Sequence, residues 1–269
     1  MAKTILITGS TDGIGLATAR MLAEAGHRVI LHGRSREKLD AAAAGLSAFA
    51  GGRPVERHVA DLSRMPDVAA LADAVAAAHP RLDVLINNAG VYNAPVTLTA
   101  EGFDIRFAVN TIAPYLLTRR LLPRFGPSGR IVNLSSAAQA KVDHEAIFGR
   151  VRMSNGMAYA QSKLALTMWT RALATELGAG GPVLVAVNPG SMLGSKLVQE
   201  AFGVAGGDIR IGAEILTRAA LSDEFAAASG AYFDNDIGRF AEPHPDATDP
   251  WKSRDLVRAL EAALGEGVD

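Results

Sequence analysis

Short apolar runs rich in β-branched residues alternate along the chain with longer stretches whose apolar residues recur every three or four positions. The runs lie near residues 3–8, 28–32, 54–59, 82–87, 129–134 and 183–188, with a seventh at Ala231-Tyr232-Phe233. They are continuous rather than alternating, as strands covered by helices on both faces require. The helical stretches fall near 14–25, 36–49, 66–79, 102–124 and 156–178, several opened by turn residues and closed by Gly or Pro. Such repeated βα units predict an α/β fold: a doubly wound, Rossmann-like parallel sheet of about seven strands, in a single domain over residues 1–269. No internal repeat, charge block or linker divides it. The regions 137–158 and 190–207, and the Pro-rich 243–250, break the rhythm. Long irregular segments in a compact α/β domain tend to be functional loops, so the first two read as substrate loops and 236–269 as a C-terminal extension.

Charge and cysteine content narrow the function classes. With 27 basic and 28 acidic residues among 269, the chain lacks the excess of Lys and Arg that a phosphate-backbone binder needs, so nucleic acid is not an expected partner. The absence of cysteine excludes disulfides, thiolate catalysis and cysteine metal sites and fits a reducing compartment, so a cytoplasmic location is expected. The apolar run after Met1-Ala2-Lys3 is too short for a signal segment, and nothing approaches the roughly 18 apolar residues of a membrane span. The six histidines, His27, His32, His58, His79, His144 and His244, show no metal-ligand spacing and read as surface or loop residues, so no metal is expected. Asp143-His144-Glu145, in the first irregular loop, is a candidate ligand contact.

Candidate chemistry begins directly after the first strand, with Thr8-Gly9-Ser10-Thr11-Asp12-Gly13-Ile14-Gly15 leading into a helix. Glycines there permit a tight turn and close backbone approach, and the free amides of the helix N-terminus attract a pyrophosphate. Gly9, Ser10, Thr11, Gly13 and Ile14 are therefore candidate dinucleotide contacts, although the glycine spacing differs from the plain GxGxxG fingerprint. The second strand ends in His32-Gly33-Arg34, without the acid that an NAD site places on the ribose hydroxyls. Arg34 can instead meet a 2′-phosphate, so NADP is expected over NAD. Further along, Tyr159 and Lys163 stand one helical turn apart on one face, about 6 Å along the axis. A phenol with an ordinary pKa of about 10 is a poor base at neutral pH unless a nearby cation stabilises its phenolate, which Lys163 can do.

Taken in order, the glycine turn, Asp61-Leu62, Asn87-Asn88-Ala89-Gly90, Asn110, Asn133-Leu134-Ser135-Ser136, Tyr159-Ala160-Gln161-Ser162-Lys163 and Asn188-Pro189-Gly190 resemble the short-chain dehydrogenase/reductase superfamily in its compact form. The 22 residues between Ser136 and Tyr159 are similar to the spacing of the retinol dehydrogenase and WW-domain oxidoreductase branch. The resemblance implies an NADP(H)-dependent oxidoreductase acting on a carbonyl or secondary alcohol. Tyr159 would be general acid or base, Lys163 would lower its pKa and hold the nicotinamide ribose, and Ser136 would bind the substrate oxygen. Asn110 would hold a water of the proton relay. Asp61 and Leu62 would contact adenine, Asn88, Ala89 and Gly90 the adenosine ribose, and Pro189-Gly190 the nicotinamide side. Where the family places a Thr or Ser that binds the carboxamide this chain has Gly194, with Ser195 one residue later; and Leu16 stands where many NADP-preferring relatives carry a second basic residue.

Val142, Ile147, Phe148, Val151 and Met153 in one loop, and Met192, Leu193, Leu197, Val198 and Phe202 in the other, suggest an apolar or aromatic small-molecule substrate. Surplus apolar residues on the two long helices, among them Ile112, Leu116, Leu166 and Trp169, suggest a homodimer. Two rival functions stay open at this point: a dinucleotide-binding sensor without turnover, and a sugar-nucleotide epimerase or dehydratase.

Overall fold

The computed structural model describes residues 1–265, and the side chains of all of these but Phe202. The last residues of the expected C-terminal extension, 266–269, and the Phe202 side chain expected in the substrate pocket lie outside the described part. The strands are β1 (Thr4–Ile7), β2 (Arg28–Gly33), β3 (Glu56–Val59), β4 (Val84–Asn87), β5 (Arg130–Leu134), β6 (Val183–Asn188), β7 (Tyr232–Asp234) and β8 (Arg239–Ala241). They form one sheet in the order β3-β2-β1-β4-β5-β6-β7-β8, parallel except for the β7–β8 hairpin. Ile5 pairs with Val29 on one side and Val84 on the other, so the strand order reverses between β1 and β4. A crevice at the carboxyl ends of strands flanking such a reversal is where open α/β sheets bind ligands.

The helices are α1 (Gly13–Glu24), α2 (Arg36–Leu46), α3 (Met65–Ala78), α4 (Ile105–Phe107), α5 (Ala113–Leu121), α6 (His144–Ile147), α7 (Asn155–Leu177), α8 (Lys196–Phe202), α9 (Ile209–Leu221), α10 (Pro245–Thr248) and α11 (Pro250–Leu264). Alternate strand side chains feed two cores. Leu6, Leu85, Ile131 and Leu184 join α3, α5, α7 and α11 on one face. Ile5, Ile7, Ile86, Val132 and Val187 join α1, α2 and α9 on the other. Continuous apolar runs were therefore the right signature for the central strands. The edge strand β3 departs from it, its residues alternating between half-buried and exposed, as suits an edge whose charged side chains discourage further pairing.

Several sequence expectations change. The sheet has an eighth strand, β8, whose short exposed sequence carried no apolar signal. The helix expected over 102–124 is divided into α4, a π-helical turn at Ala108–Ile112, α5 and a 3₁₀ turn at Leu122–Arg124. Helices α9 and α11 were not anticipated. Asp208 caps the first by accepting from the Arg210 amide at 2.8 Å. Asp249 caps the second by accepting from the Trp251 amide at 2.9 Å, and Pro250 occupies its first position, a place where proline starts a helix rather than breaking it. The Pro-rich 243–250 is accordingly a pair of helix starts, not a loop. α11 lies along α7 and contributes Leu256 and Leu260 to the core that also holds Ile112, Leu116, Leu166 and Trp169. Those four side chains, the basis of the dimer expectation, are at most 4% exposed within a single chain, so they are not surplus. Among the described residues no helix is long and apolar enough to cross a membrane.

Candidate active site

The turn after β1 is built by close contact. Gly9 has φ +64°, and a Cβ on it would lie 2.9 Å from the Ala89 Cα. A Cβ on Gly15 would lie 2.3 Å from both the Asn88 Nδ2 and the Gly9 carbonyl oxygen. Asn88 holds this geometry by donating from Nδ2 to the Thr8 and Gly9 carbonyls at 2.8 and 3.0 Å. The amides of Asn88 and Ala89 donate to the Thr8 hydroxyl at 3.0 and 3.1 Å. The Asn88 side chain is thus a clamp on the glycine turn. Asp12 caps α1 by accepting from the Gly13 amide at 2.8 Å. The following amides of the first turn face the cleft with the positive end of the helix behind them.

Ser10, expected as a dinucleotide contact, does not line the cleft: it is buried, its hydroxyl accepting from the His32 amide at 2.9 Å and donating to the His32 carbonyl at 3.3 Å, so it ties the turn to β2. His32, expected as a surface or loop residue, is a second clamp. Its Nδ1 accepts from the Gly9 amide at 3.2 Å, and Nε2 lies 3.2 Å from the Ala60 carbonyl. Burial pulls its pKa from 6.5 down to about 4, which keeps the ring neutral with the proton on Nε2. Because the folded value lies below the unfolded one, this contribution to stability is complete above pH 6.5 and is lost as the pH falls toward 4. Urea unfolding of the wild type and of His32→Gln between those limits is expected to differ in slope by up to about 1.4 kcal/mol per pH unit, the wild type losing stability faster. Equal slopes would contradict the neutral clamp.

At the end of β2, a Cβ on Gly33 would lie 2.6 Å from the Thr11 Cγ2. The place of an acidic residue is therefore filled by Thr11. Arg34 is exposed beside it, and Lys38, which the sequence reading did not single out, stands at the same rim with its Nζ 3.9 Å from Asp12. Ser35 caps α2, accepting from the Lys38 amide at 3.3 Å. Asp61 accepts from the Ser63 amide and hydroxyl through Oδ1 at 3.0 and 2.8 Å.

The second half of the site comes from β5 and α7. Ser136 and Tyr159 line the same cleft, the serine hydroxyl close enough to the phenol to influence its ionisation. Ser135 turns the other way, its hydroxyl 2.7 Å from that of Thr167 on α7. Lys163 is buried, donates to the Leu134 carbonyl at 2.7 Å and places its Nζ 5.6 Å from the Tyr159 ring centroid. Burial pulls the lysine down to about 8 and pushes the Tyr159 phenol up, an effect that the neighbouring Ser136 hydroxyl opposes. The Ser136 carbonyl is held in turn by Gln139 at 3.0 Å and by the Tyr232 hydroxyl at 3.1 Å. Asn110 lies in the π-helical turn, an irregularity often found at functional sites. Its Oδ1 accepts from the Val91 amide at 2.8 Å, and its Nδ2 donates to the Val91 carbonyl and the Ser162 hydroxyl, both at 3.0 Å. The Asn110 side chain therefore positions the 90–93 loop against α7.

Beyond β6, the Ser191 amide donates to Asp236 at 2.7 Å. Gly194 is wedged against the Ala205 and Gly207 carbonyls, each 2.8 Å from where a Cβ would stand. Ser195 caps α8, accepting from the Val198 amide at 3.3 Å, and its Cβ lies 3.8 Å from the Cβ position of Gly13. No side chain fits at Gly194, and the hydroxyl falls one residue later, beside the glycine turn.

One cleft of about 940 Å³ is lined by Gly9, Thr11, Gly13, Ile14, Arg34, Asp61, Leu62, Asn88, Ala89, Gly90, Ser136, Tyr159, Lys163, Pro189 and Gly190, and by neither Ser10 nor Asn110. Met192, Leu193, Leu197 and Val198 also line it, together with the unanticipated Tyr92. The apolar residues of the first loop do not. Ile147 is buried, while Val142, Phe148 and Met153 pack onto the core, Phe148 with its ring 6.2 Å from that of Phe103. Their apolarity holds the loop down rather than shaping a pocket. Asp143, His144 and Glu145 are likewise off the cleft: Asp143 caps α6 by accepting from the Glu145 amide at 3.0 Å, His144 faces Asp255, and Glu145 pairs with Arg150.

The sequence profile described as short chain dehydrogenase matches residues 3–202. Human retinol dehydrogenase 13 is 33% identical over 273 residues, covering 94% of this chain and 82% of its own length. Bovine dehydrogenase/reductase SDR family member 13 is 35% identical over 289 residues, covering 99% of this chain and 75% of its own. The crystal structure of an uncharacterized protein from Mycobacterium paratuberculosis superposes with a TM-score of 0.80 at 30% identity, over 97% of this chain and 92% of that one. A short chain dehydrogenase from Escherichia coli, complexed with NADPH, superposes with a TM-score of 0.70 at 28% identity, over 87% of this chain and 96% of that one.

Proposed function

The chain belongs to the short chain dehydrogenase family, and from that premise we propose that it moves a hydride between NADP(H) and the carbonyl or secondary alcohol carbon of an apolar or aromatic small molecule. The observation that carries the reading is that Tyr159, Ser136 and Lys163 line the same cleft as the glycine turn, with the Lys163 Nζ 5.6 Å from the Tyr159 ring centroid. The turn fits a dinucleotide because Gly9 and Gly15 leave no room for side chains, which brings backbone amides to the surface where a pyrophosphate would lie. When bound, the nicotinamide supplies or accepts the hydride. In the reducing direction Tyr159 donates its proton to the substrate oxygen, and burial keeps that phenol protonated until the oxygen gains charge. Ser136 donates a hydrogen bond to the same oxygen. The phenolate that remains is stabilised by Ser136 and by the Lys163 ammonium. In the oxidising direction the Tyr159 phenolate, held by the Lys163 ammonium, accepts the alcohol proton.

Preference for NADP(H) is supported by Thr11 filling the acid's place at Gly33 and by Arg34 and Lys38 at the rim. A charge-assisted hydrogen bond contributes roughly 1.5 to 3 kcal/mol, and the exposure of Arg34 puts its share at the lower end. Arg34→Ala is expected to lower the ratio of kcat/KM for NADPH over NADH by about 10-fold, and a further loss is expected on adding Lys38→Ala. Steady-state kinetics with both cofactors checks this, and an unchanged ratio in the double variant would leave the two cations as surface charges. The Ser195 hydroxyl is the group we assign to the carboxamide, one residue beyond its usual place.

A further inference from the structure

Tyr92 shares the cleft with the catalytic pair. Its ring centroid is 5.2 Å from that of Tyr159, with the planes inclined at 48°. The neighbours of Tyr92 are tied down on both sides. Val91 is fixed by its two hydrogen bonds to Asn110, and the Asn93 side chain donates from Nδ2 to the Glu200 carbonyl of α8 at 3.2 Å. Asn155, at the start of α7, donates to the Asn93 Oδ1. The helix also makes room for the ring. Gly156, one turn before Tyr159, is the second residue of α7. A Cβ at Gly156 would lie 2.9 Å from the Tyr92 hydroxyl oxygen. A residue without a side chain thus stands where the helix has to admit this ring.

We propose that Tyr92, seated against Gly156, is a specificity-determining residue of the cleft: it offers a fixed aromatic wall beside Tyr159 and selects carbonyl substrates whose reacting carbon is attached to a planar aromatic or conjugated group. Aromatic rings gain from offset or tilted packing beyond the area they bury, and a wall held at three anchored residues presents that surface without an ordering cost. Substrates with a puckered alicyclic group of the same size fill the volume but lose the ring contact. The inference rests on the oxidoreductase reading above.

The test uses matched pairs, acetophenone with cyclohexyl methyl ketone and benzaldehyde with cyclohexanecarbaldehyde, assayed with NADPH. The wild type is expected to favour the aryl member of each pair. Tyr92→Leu should reduce that preference about 3- to 10-fold, mainly through KM, and Tyr92→Phe should retain it. Gly156→Ala, which displaces the ring without altering it, should move the ratio as Tyr92→Leu does. Thermal melting and NADPH binding identify any variant that has not folded, and Tyr92→Phe and Gly156→Ala give separate readouts. Aryl preference unchanged in both Tyr92→Leu and Gly156→Ala would overturn this inference alone. A wild type that binds NADPH and turns over neither member of either pair, nor any other carbonyl, would overturn the oxidoreductase reading and this inference with it.

Discussion

Replacing Tyr159 by Phe is expected to lower turnover roughly 100- to 10,000-fold while leaving NADPH affinity nearly unchanged. The substitution removes one oxygen atom and keeps the ring, so the contact with Tyr92 at 5.2 Å and the apolar packing of α7 persist. What disappears is the proton donor beside Ser136 and Lys163 in the cleft. Lys163→Ala should have a different signature, damaging both binding and turnover. Its ammonium stands near the Tyr159 ring, close to Gly90, and is fixed to the Leu134 carbonyl. Without it the buried phenolate has lost its nearest cation, and the cleft has lost a donor on the side expected to hold the nicotinamide ribose. Stopped-flow turnover together with fluorescence titration of NADPH separates the two variants. Near-normal kcat in Tyr159→Phe would remove the general acid from the account.

Gly15→Ala is expected to be the most damaging single methyl group in the cofactor half of the site. Its Cβ would stand 2.3 Å from the Gly9 carbonyl oxygen and from the Asn88 Nδ2. Relief demands that the turn move or that Asn88 give up its two bonds to the Thr8 and Gly9 carbonyls. Overpacking costs about 1 to 3 kcal/mol where side chains can adjust, and here the obstacles are backbone and a clamped amide, so the upper end applies. A displaced turn also moves the amides aimed at the pyrophosphate, and NADPH affinity should fall roughly 100-fold. Gly45→Ala, in α2 with open space around its Cβ position, is the control and should be neutral or stabilising by up to about 1 kcal/mol. Isothermal titration of both variants decides the matter. Wild-type affinity in Gly15→Ala would mean that the glycine turn is not the cradle.

The central strands and the glycine turn were legible in the sequence because both are driven by local chemistry. Buried parallel strands need uninterrupted apolar runs, and a close backbone approach needs glycine. The Tyr159–Lys163 pair was legible for the same reason, since helical spacing alone puts the two on one face. Choosing Ser136 over Ser135 rested on resemblance, and the geometry supplies the reason: Ser135 bonds to Thr167 and points into α7. Residues whose role depends on what lies across the fold were misread. The Ser10 hydroxyl bonds to the His32 backbone and the His32 ring accepts from the Gly9 amide, and no pattern within either segment announces that. The apolar residues of the 137–158 loop have the same composition whether they line a pocket or fasten the loop to the core. Ile112 and Trp169 read as surplus because α11, the helix that helps enclose their core, was hidden behind a proline. Tyr92 carried no signal except its position two residues past Asn88-Ala89-Gly90, and only the space left by Gly156 reveals its place.

The most direct test of the central claim is NADPH oxidation by the wild type and by Tyr159→Phe, followed against a panel of apolar and aromatic ketones and aldehydes, with NADPH binding measured on the same samples. The account predicts that the wild type turns over carbonyl compounds with NADPH preferred to NADH, and that Tyr159→Phe binds NADPH as well and reduces the same compounds at least about 100-fold more slowly. Tight NADPH binding by both proteins without turnover of any carbonyl compound, or equal rates in the two, would contradict it.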